Sequence, residues 1–277
     1  MHVFYALGGG WGHLSRVRTY IRTLGPIPFR VVTANPVAHE LFAPEQLLWL
    51  DVDARVKAPE LAAAIQQALR GIAVTHWYVD AFPNGILGEL SQVDLNPKRR
   101  TFLARRLKWE AYQPLLKGEM ASFDEAVRFE PLHPEQEAWV TEHAPQHIDF
   151  TYPPPKTDFF RIVPFLSMFA GPFWLVMHTS NLEEVESLWE YAQAIARQEG
   201  LEPTWVLLTD QSLPAPSPGL VQQDPAPGDW FPHVDRIFCG GGFNTLQQVL
   251  PYRDKVKAIP FPRRFDDQAE RIKRLLG

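Results

Sequence analysis

Short apolar runs alternate with segments of helical period through residues 1–152 of the chain. The apolar runs have the sequences HVFYAL, FRVVTA, THWYVDAF and TFLARRL. Segments with the apolar spacing of a helix follow them, over 14–24, 37–42, 85–90 and 109–116. This alternation is typical of a parallel sheet with helices on its faces. The pattern predicts a Rossmann-like N-terminal domain over residues 1–152.

A proline-rich segment, YPPPK at 152–156, separates this pattern from a second one. Proline has a fixed φ and no amide hydrogen, so three in succession suit neither a helix nor the interior of a sheet. The alternation then restarts with a helical stripe over 182–197 and the strand-like runs FWLVMH, WVLLTD, DRIFCG and VKAIPF. We predict a linker at 152–156, a second Rossmann-like domain over 157–277, and hence an α/β fold of two such domains.

Composition narrows the class of protein. The 277 residues are 45% hydrophobic and 21% charged, which is enough apolar material for two cores. The net charge is -5, whereas nucleic-acid-binding proteins usually carry an excess of basic residues, so nucleic acid is not expected as a partner. A single cysteine, Cys239, excludes an internal disulfide and a cysteine-based zinc site. No metal is therefore implied.

The N-terminus runs directly from Met1 into an apolar run, without the features of a secretory leader. No segment reaches the roughly 18–20 uninterrupted apolar residues that span a bilayer. With one cysteine in the chain, these features predict a reduced, cytoplasmic protein.

The first glycine-rich loop, GGGWGH at 8–13, joins the opening strand to a helix. Glycines let a backbone approach a ligand closely, and amides at the start of a helix favour an anion. His13 stands where a dinucleotide-binding motif has its last glycine, and no acidic residue ends the second strand. Binding of NAD is therefore disfavoured.

A second glycine-rich loop, GGGFNT at 240–245, lies between the run DRIFCG and the helical segment 246–250. Bare amides beside an Asn and a Thr suit a diphosphate group. Tight strand-to-helix turns are also rich in glycine, so either loop alone leaves both interpretations open.

Three motifs in order along the chain are ALGGGWGH, CGGGFNTLQQVL and IPFPRRFDDQAER. Together they resemble glycosyltransferases of the B type, particularly the group that contains the bacterial peptidoglycan N-acetylglucosaminyltransferase and related UDP-dependent glycosyltransferases. The resemblance implies two Rossmann-like domains facing across a cleft. The N-terminal domain would hold the acceptor, and the C-terminal domain would hold a nucleotide-sugar donor, expected to be a UDP-sugar. That donor is a substrate, and no cofactor is implied.

The same resemblance assigns site residues. Acceptor contacts fall on the first loop, at Gly9, Gly10, Trp11 and Gly12. Donor contacts fall on the second loop and its surroundings, at Gly240, Gly241, Gly242, Phe243, Asn244, Thr245, Gln248, Asp267, Gln268, Thr179 and Ser180. Two positions depart from family patterns: Gln248 replaces a glutamate that often holds the ribose hydroxyls, and Gly240 replaces the phosphate-binding histidine of plant and animal UDP-glycosyltransferases.

His13 matches the histidine of the family's first loop, which implies a general base for an inverting transfer. Such a base takes the acceptor's hydroxyl proton as the oxygen attacks the anomeric carbon, and imidazole suits that task at neutral pH. Asp80 ends a strand and either orients His13 or the acceptor, or caps the turn before Phe82. Backbone amides and a helix dipole would stabilise the leaving diphosphate without a metal.

The leading hypothesis is a metal-independent glycosyltransferase. A sugar-nucleotide epimerase or hydrolase, and a catalytically silent nucleotide-sugar-binding protein, remain as alternatives.

Glu89 is expected on a helix surface. A basic cluster either attracts membrane headgroups or a phosphorylated lipid acceptor, or is a solvated edge beside a strand; it consists of Lys98, Arg99, Arg100, Arg105, Arg106 and Lys108.

Overall fold

A computed structural model describes residues 1–53, 55–116, 122–154, 157–179, 181–212, 218–224 and 226–277. The chain divides into two compact units. The first comprises Met1–Tyr152 with Arg264–Asp266, and the second comprises Pro153–Arg263 with Asp267–Gly277. Two residues of the predicted linker, 155 and 156, lie outside the described residues. The segment Arg264–Asp266 groups with the first unit although it lies inside the range predicted for the second domain.

Seven strands form one parallel sheet in the described part of the first unit, in the order β3-β2-β1-β4-β5-β6-β7. Their bounds are β1 His2–Tyr5, β2 Phe29–Thr33, β3 Leu47–Trp49, β4 His76–Asp80, β5 Arg99–Ala104, β6 Glu125–Arg128 and β7 Gln146–Asp149. The order reverses between β1 and β4, so the carboxyl ends of these two strands lie side by side. In parallel α/β sheets such a switch point is where ligands bind.

Helices connect these strands. They are α1 Gly12–Thr23, α2 Ala38–Leu41, α3 Ala58–Ala68, α4 Trp109–Tyr112 and α5 Pro134–His143, with 3-10 turns at Pro44–Gln46, Glu89–Gln92 and Gln113–Leu115. Helix α1 buries Leu14, Val17 and Ile21, the spacing that predicted it. The helix predicted over 85–90 is wrong: Gly85 and Gly88 both have positive φ, and only a 3-10 turn follows.

The sheet of the first unit is buried on both faces. Trp77 and Val79 of β4 pack with Tyr5 of β1 and Ile65 of α3 on one face. On the opposite face Phe4 stacks on Tyr78, with 4.1 Å between ring centroids. Burial on both faces explains why the strands appear in the sequence as continuous apolar runs.

The second unit repeats the design with a five-stranded parallel sheet in its described part, in the order β10-β9-β8-β11-β12. The strands are β8 Phe173–Met177, β9 Thr204–Leu208, β10 Gly219–Gln222, β11 Arg236–Gly240 and β12 Val256–Ile259. The helices are α6 Val163–Leu166, α7 Leu182–Glu199, α8 Phe243–Val249 and α9 Gln268–Leu276, with 3-10 turns at Phe159–Arg161, Pro227–Asp229 and Leu250–Lys255. The switch point lies between β8 and β11.

Local signals set the limits of α7, the longest helix. The Asn181 side chain accepts a hydrogen bond of 2.9 Å from the Glu184 amide and caps its start. Gly200 ends it in the left-handed conformation. None of the helices in the described ranges is long and apolar enough to cross a membrane.

A polar network crosses the first sheet at its amino end and includes His76. The His76 ring stacks on Tyr78 at 4.0 Å between centroids, and its Nε2 lies 2.7 Å from the Thr101 hydroxyl. Burial, followed by the nearby charges of His2 and Arg99, lowers the pKa of His76 to about 4.

We predict that acid destabilises the protein through this residue. Between its unfolded pKa of about 6.5 and about 4, His76 binds a proton in the unfolded chain but not in the folded one, so the free energy of unfolding falls as pH falls through this window. Urea unfolding at several pH values should show a weaker pH dependence for His76→Gln than for the parent. His39→Gln removes an exposed imidazole as a control. Equal pH dependence in all three proteins would contradict the assignment.

Candidate active site

The switch point of the first sheet brings together two residues that the sequence singled out. His13 lies in the first turn of α1, and Asp80 is the last residue of β4. His13 Nδ1 lies 2.6 Å from Asp80 Oδ2, although the residues are 67 positions apart. Asp80 is fully buried and His13 is 8% exposed. The structure therefore forms the pair, while its catalytic role stays a prediction.

Arg16 completes the cluster and was missed by the sequence analysis. Its Nε donates to Asp80 Oδ1 at 2.7 Å, and its Nη2 donates to Asp80 Oδ2 at 2.6 Å. Arg16 is 1% exposed. It follows His13 by three positions, a spacing that places both side chains on one face of a helix. That spacing is the signal that could have found it.

Electrostatics determine which nitrogen of His13 carries the proton. Burial alone would raise the pKa of Asp80, but the Arg16 charge and the hydrogen bonds from both partners lower it to about 2. An ionised carboxylate only accepts hydrogen bonds, so His13 Nδ1 must be the donor. A neutral His13 therefore presents the lone pair of Nε2.

His13 itself favours the neutral form. Burial lowers its pKa, and the hydrogen bond and charge of Asp80 oppose that effect. The positive charges of Arg16 and Arg105 lower it further, so the pKa lies below the ordinary histidine value. A neutral imidazole held by a carboxylate can act as a general base through Nε2.

The glycine loop fits closely around this ring. A Cβ on Gly8 would stand 2.2 Å from His13 Cδ2 and 2.4 Å from Nε2, so only glycine leaves room for the imidazole. Asn35, beyond β2, donates from Nδ2 to the carbonyls of Gly8 at 3.1 Å and Gly10 at 2.6 Å. Asn35 thus holds the loop that carries His13, and no sequence motif indicated it.

The chain turns sharply after Asp80. Ala81 is buried with φ of 61°, a left-handed conformation that costs an alanine on the order of 1 kcal/mol. Its amide donates to the Leu103 carbonyl at 3.0 Å, which ties the turn to β5. The turn places the Phe82 ring 5.3 Å from the His13 ring, between centroids. Backbone strain of this kind is common at functional sites.

Glu89 is not on the surface, and that expectation is wrong. Its side chain is fully buried and accepts hydrogen bonds from the Tyr5 hydroxyl and, at 2.8 Å, from the Leu87 amide. A Cβ on Gly85 would stand 2.4 Å from the carboxylate carbon. Burial raises the pKa of Glu89. The carboxylate shapes the segment that follows β4.

In the second unit, helix α9 packs directly against the glycine loop. Arg271, fully buried, donates from Nη1 to the Gly241 carbonyl at 3.0 Å. A Cβ on Gly241 would stand 2.8 Å from Ile272 Cδ1 and 2.9 Å from Gln268 Cβ. A Cβ on Gly242, in contrast, would meet only the Thr245 hydroxyl within 4 Å among the described residues, at 3.8 Å. The backbone at Gly242 is therefore the open part of the loop.

A charged cluster borders the same loop. His178 Nε2 lies 2.7 Å from Glu184 Oε2, and Arg263 donates to both Glu184 oxygens, at 2.5 and 2.6 Å. A Cβ on Gly240 would stand 3.1 Å from His178 Cε1. Because β8 and β11 are adjacent, the imidazole lies beside the loop. Across the described ranges, no group of three or more His, Cys, Asp or Glu side chains could hold a metal ion.

Comparison with solved structures identifies the fold. The match to the glycosyltransferase SnogD from Streptomyces nogalater covers 99% of this chain and 84% of SnogD, with a TM-score of 0.56 and 16% identity. The match to the glycotransferase of kitacinnamycin covers 98% of this chain and 84% of that protein, with a TM-score of 0.61 and 13% identity. Glycosyltransferase SsfS6 from Streptomyces sp. SF2575 was solved with thymidine diphosphate. Its match covers 95% of this chain and 82% of SsfS6, with a TM-score of 0.53 and 12% identity.

The chain has the glycosyltransferase-B fold. At these identities the likeness concerns the fold. No family model matches the chain, and no curated protein matches it either. The two parallel α/β units confirm the predicted fold class. The closer resemblance to the peptidoglycan enzyme group stays a prediction.

Within the glycosyltransferase-B fold, the predicted acceptor residues are accessible. Gly9, Gly10 and Gly12 are exposed, and Trp11 is half-buried just before α1. Their backbone therefore lines the surface beside His13. Contact with an acceptor stays a prediction for all four.

Apart from the three glycines, the predicted donor residues in the described ranges fall into two groups by exposure. Those whose side chains are at least partly accessible are Thr179, Asn244, Thr245, Gln248 and Asp267. Phe243 and Gln268 are buried, and Gln268 Oε1 accepts the Phe261 amide at 2.9 Å. Asp267 caps α9 through a 3.4 Å bond from the Glu270 amide. Ser180 lies outside the described residues.

The basic cluster is not one continuous exposed surface. Arg105 is 7% exposed and donates to Asp266 Oδ1 at 2.5 Å. Arg99 donates to Glu125 at 2.7 Å. Contact with a membrane remains a prediction that these two ion pairs do not support.

We predict opposite outcomes for two neighbouring glycines of the second loop. Gly241→Ala pushes a methyl group against the Gln268 backbone and should cost about 1–3 kcal/mol of stability, the usual range for overpacking. Gly242→Ala enters open space and serves as the matched control. Urea unfolding of both variants measures the difference. Equal midpoints would show that α9 does not confine the loop.

Proposed function

We propose that this protein is a glycosyltransferase that moves a sugar from a nucleoside diphosphate to a hydroxyl group of an acceptor, with inversion and without a metal ion. One observation carries the proposal. In a fold shared with glycosyltransferases, the buried Asp80 orients His13 so that Nε2 can accept a proton. The first unit would supply the base and bind the acceptor, and the second would bind the donor.

The proposed reaction is a single displacement. The acceptor oxygen forms a bond to the anomeric carbon from the side opposite the diphosphate, and the bond from that carbon to the leaving phosphate oxygen breaks. Configuration therefore inverts. His13 Nε2 takes the hydroxyl proton and becomes an imidazolium, which the Asp80 carboxylate stabilises through the Nδ1 hydrogen bond.

For the donor, we propose the loop at 240–245 in the second unit. The open backbone at Gly242 and the Thr245 hydroxyl beside it are the groups best placed to meet a diphosphate. The loop would be held in place at Gly241, which packs against Gln268 and whose carbonyl accepts a hydrogen bond from Arg271. One glycosyltransferase of this fold was solved with thymidine diphosphate, so the uridine and thymidine nucleotides are both candidates.

Calorimetric titration with UDP, TDP and GDP, each with magnesium and with a chelator, tests the donor assignment. We expect binding of one nucleotide without metal. Turnover is then measured as release of that nucleoside diphosphate from its glucose ester. The assay is run with a panel of candidate acceptors, and without an acceptor to measure transfer to water. Failure of all three nucleotides to bind would overturn the proposed function.

We predict that His13→Ala lowers turnover by about 10²–10⁴-fold, the usual contribution of a general base, while nucleotide affinity stays unchanged. His39→Ala, which removes an exposed histidine, is the matched control. Retained turnover in His13→Ala would remove His13 from the reaction. Loss of nucleotide binding as well would point to a fold defect.

The pH profile provides an independent prediction. Because burial lowers the pKa of His13, the base stays deprotonated below the ordinary histidine value of about 6.5. The kcat/KM of the free enzyme should therefore hold its plateau from neutral pH into mildly acidic solution, and fall only as pH drops through the lowered pKa. An acid limb above about 6.5 would contradict this assignment.

A further inference from the structure

Arg16 contacts both members of the His13–Asp80 pair in the candidate active site. Its guanidinium spans both oxygens of Asp80, at 2.7 and 2.6 Å. Its Nη2 also lies 3.3 Å from His13 Nδ1. The side chain is almost completely buried, where a guanidinium nevertheless keeps its charge.

A buried carboxylate needs a compensating positive charge. If His13 were the only partner of Asp80, the imidazole would supply that charge by holding a second proton. A protonated His13 has no lone pair on Nε2 and cannot act as a base. With Arg16 present, the carboxylate is already compensated, and His13 donates one hydrogen bond while remaining neutral.

Within the described ranges, the charged groups that act most strongly on His13 come from three places in the fold. Asp80 ends β4, Arg16 lies on α1, and Arg105 follows β5 with its own partner Asp266. The two arginines oppose protonation of His13, and Asp80 favours it. Arg16 is the cation that also contacts the carboxylate directly.

We infer that Arg16 is a positioning residue that keeps His13 in its neutral, Nδ1-protonated form, with Nε2 available to accept a proton. The catalytic consequence rests on the proposed function. The electrostatic consequence does not, because the protonation state of His13 can be measured without a substrate. A merely structural arginine would affect folding and leave the titration of His13 in place.

The test is an NMR titration of the His13 ring nitrogens in the whole protein. In Arg16→Gln the buried carboxylate is left to His13, so the titration midpoint of His13 should move to higher pH. Arg16→Lys keeps the charge and should restore most of the parent midpoint. Arg22→Gln, an exposed arginine on the same helix, is the matched control. An unchanged or lower midpoint in folded Arg16→Gln would overturn the inference.

The double variant Arg16→Gln/Asp80→Asn covers the case in which Arg16→Gln does not fold, because it leaves neither charge of the pair buried alone. If the two charges offset each other at His13, the His13 midpoint stays at or below that of the parent. A midpoint that rises in the double variant would show that Arg16 acts on His13 by another route.

Kinetics connect this inference to the reaction. In Arg16→Gln the acid limb of the kcat profile should move to higher pH, with about a tenfold loss of kcat below the midpoint for each pH unit moved, and recovery of the plateau at alkaline pH. The KM for the donor should not change. A uniform loss at all pH values would indicate a structural role. If the midpoint moves but the parent transfers no sugar, the proposed function fails while the inference about Arg16 holds.

Discussion

The buried carboxylate of Asp80 is the constraint on which the first unit's site depends. A charge removed from water at the end of a central strand must be met by hydrogen bonds and an opposite charge. Arg16 and His13 provide both from a single face of α1. The tautomer of His13, with Nδ1 as the donor and Nε2 as the acceptor, follows from this one requirement.

The glycine loop between β1 and α1 has to accommodate that arrangement. Gly8 leaves the space that the imidazole edge fills, and Asn35 fixes the loop through two of its carbonyls. After Asp80, the left-handed Ala81 brings Phe82 against the ring. The backbone around the site is thus shaped by packing from three separate segments, and the strain at Ala81 is held by the strand beside it.

Sheet topology decides which loops meet. In both units the strand order reverses once, which sets the end of one strand beside the end of another distant in sequence. The result is His13 beside Asp80 in the first unit, and His178 beside the Gly240 backbone in the second. Buried polar side chains then serve nearby backbone groups: Arg271 donates to the Gly241 carbonyl of the loop, and Gln268 accepts from the Phe261 amide after β12. An unpaired carbonyl or amide at these buried positions would be costly.

The sequence alone determined two parallel α/β units and the positions of both glycine loops, because apolar period and glycine placement are local properties. The resemblance carried by the three motifs, and not a local pattern, indicated His13. It did not determine the burial of Glu89, the non-helical segment at Gly85, or the grouping of Arg264–Asp266 with the first unit. Nor did it indicate Arg16. Those features arise from solvation of charge and from contacts between distant segments, which exist only once the chain has folded.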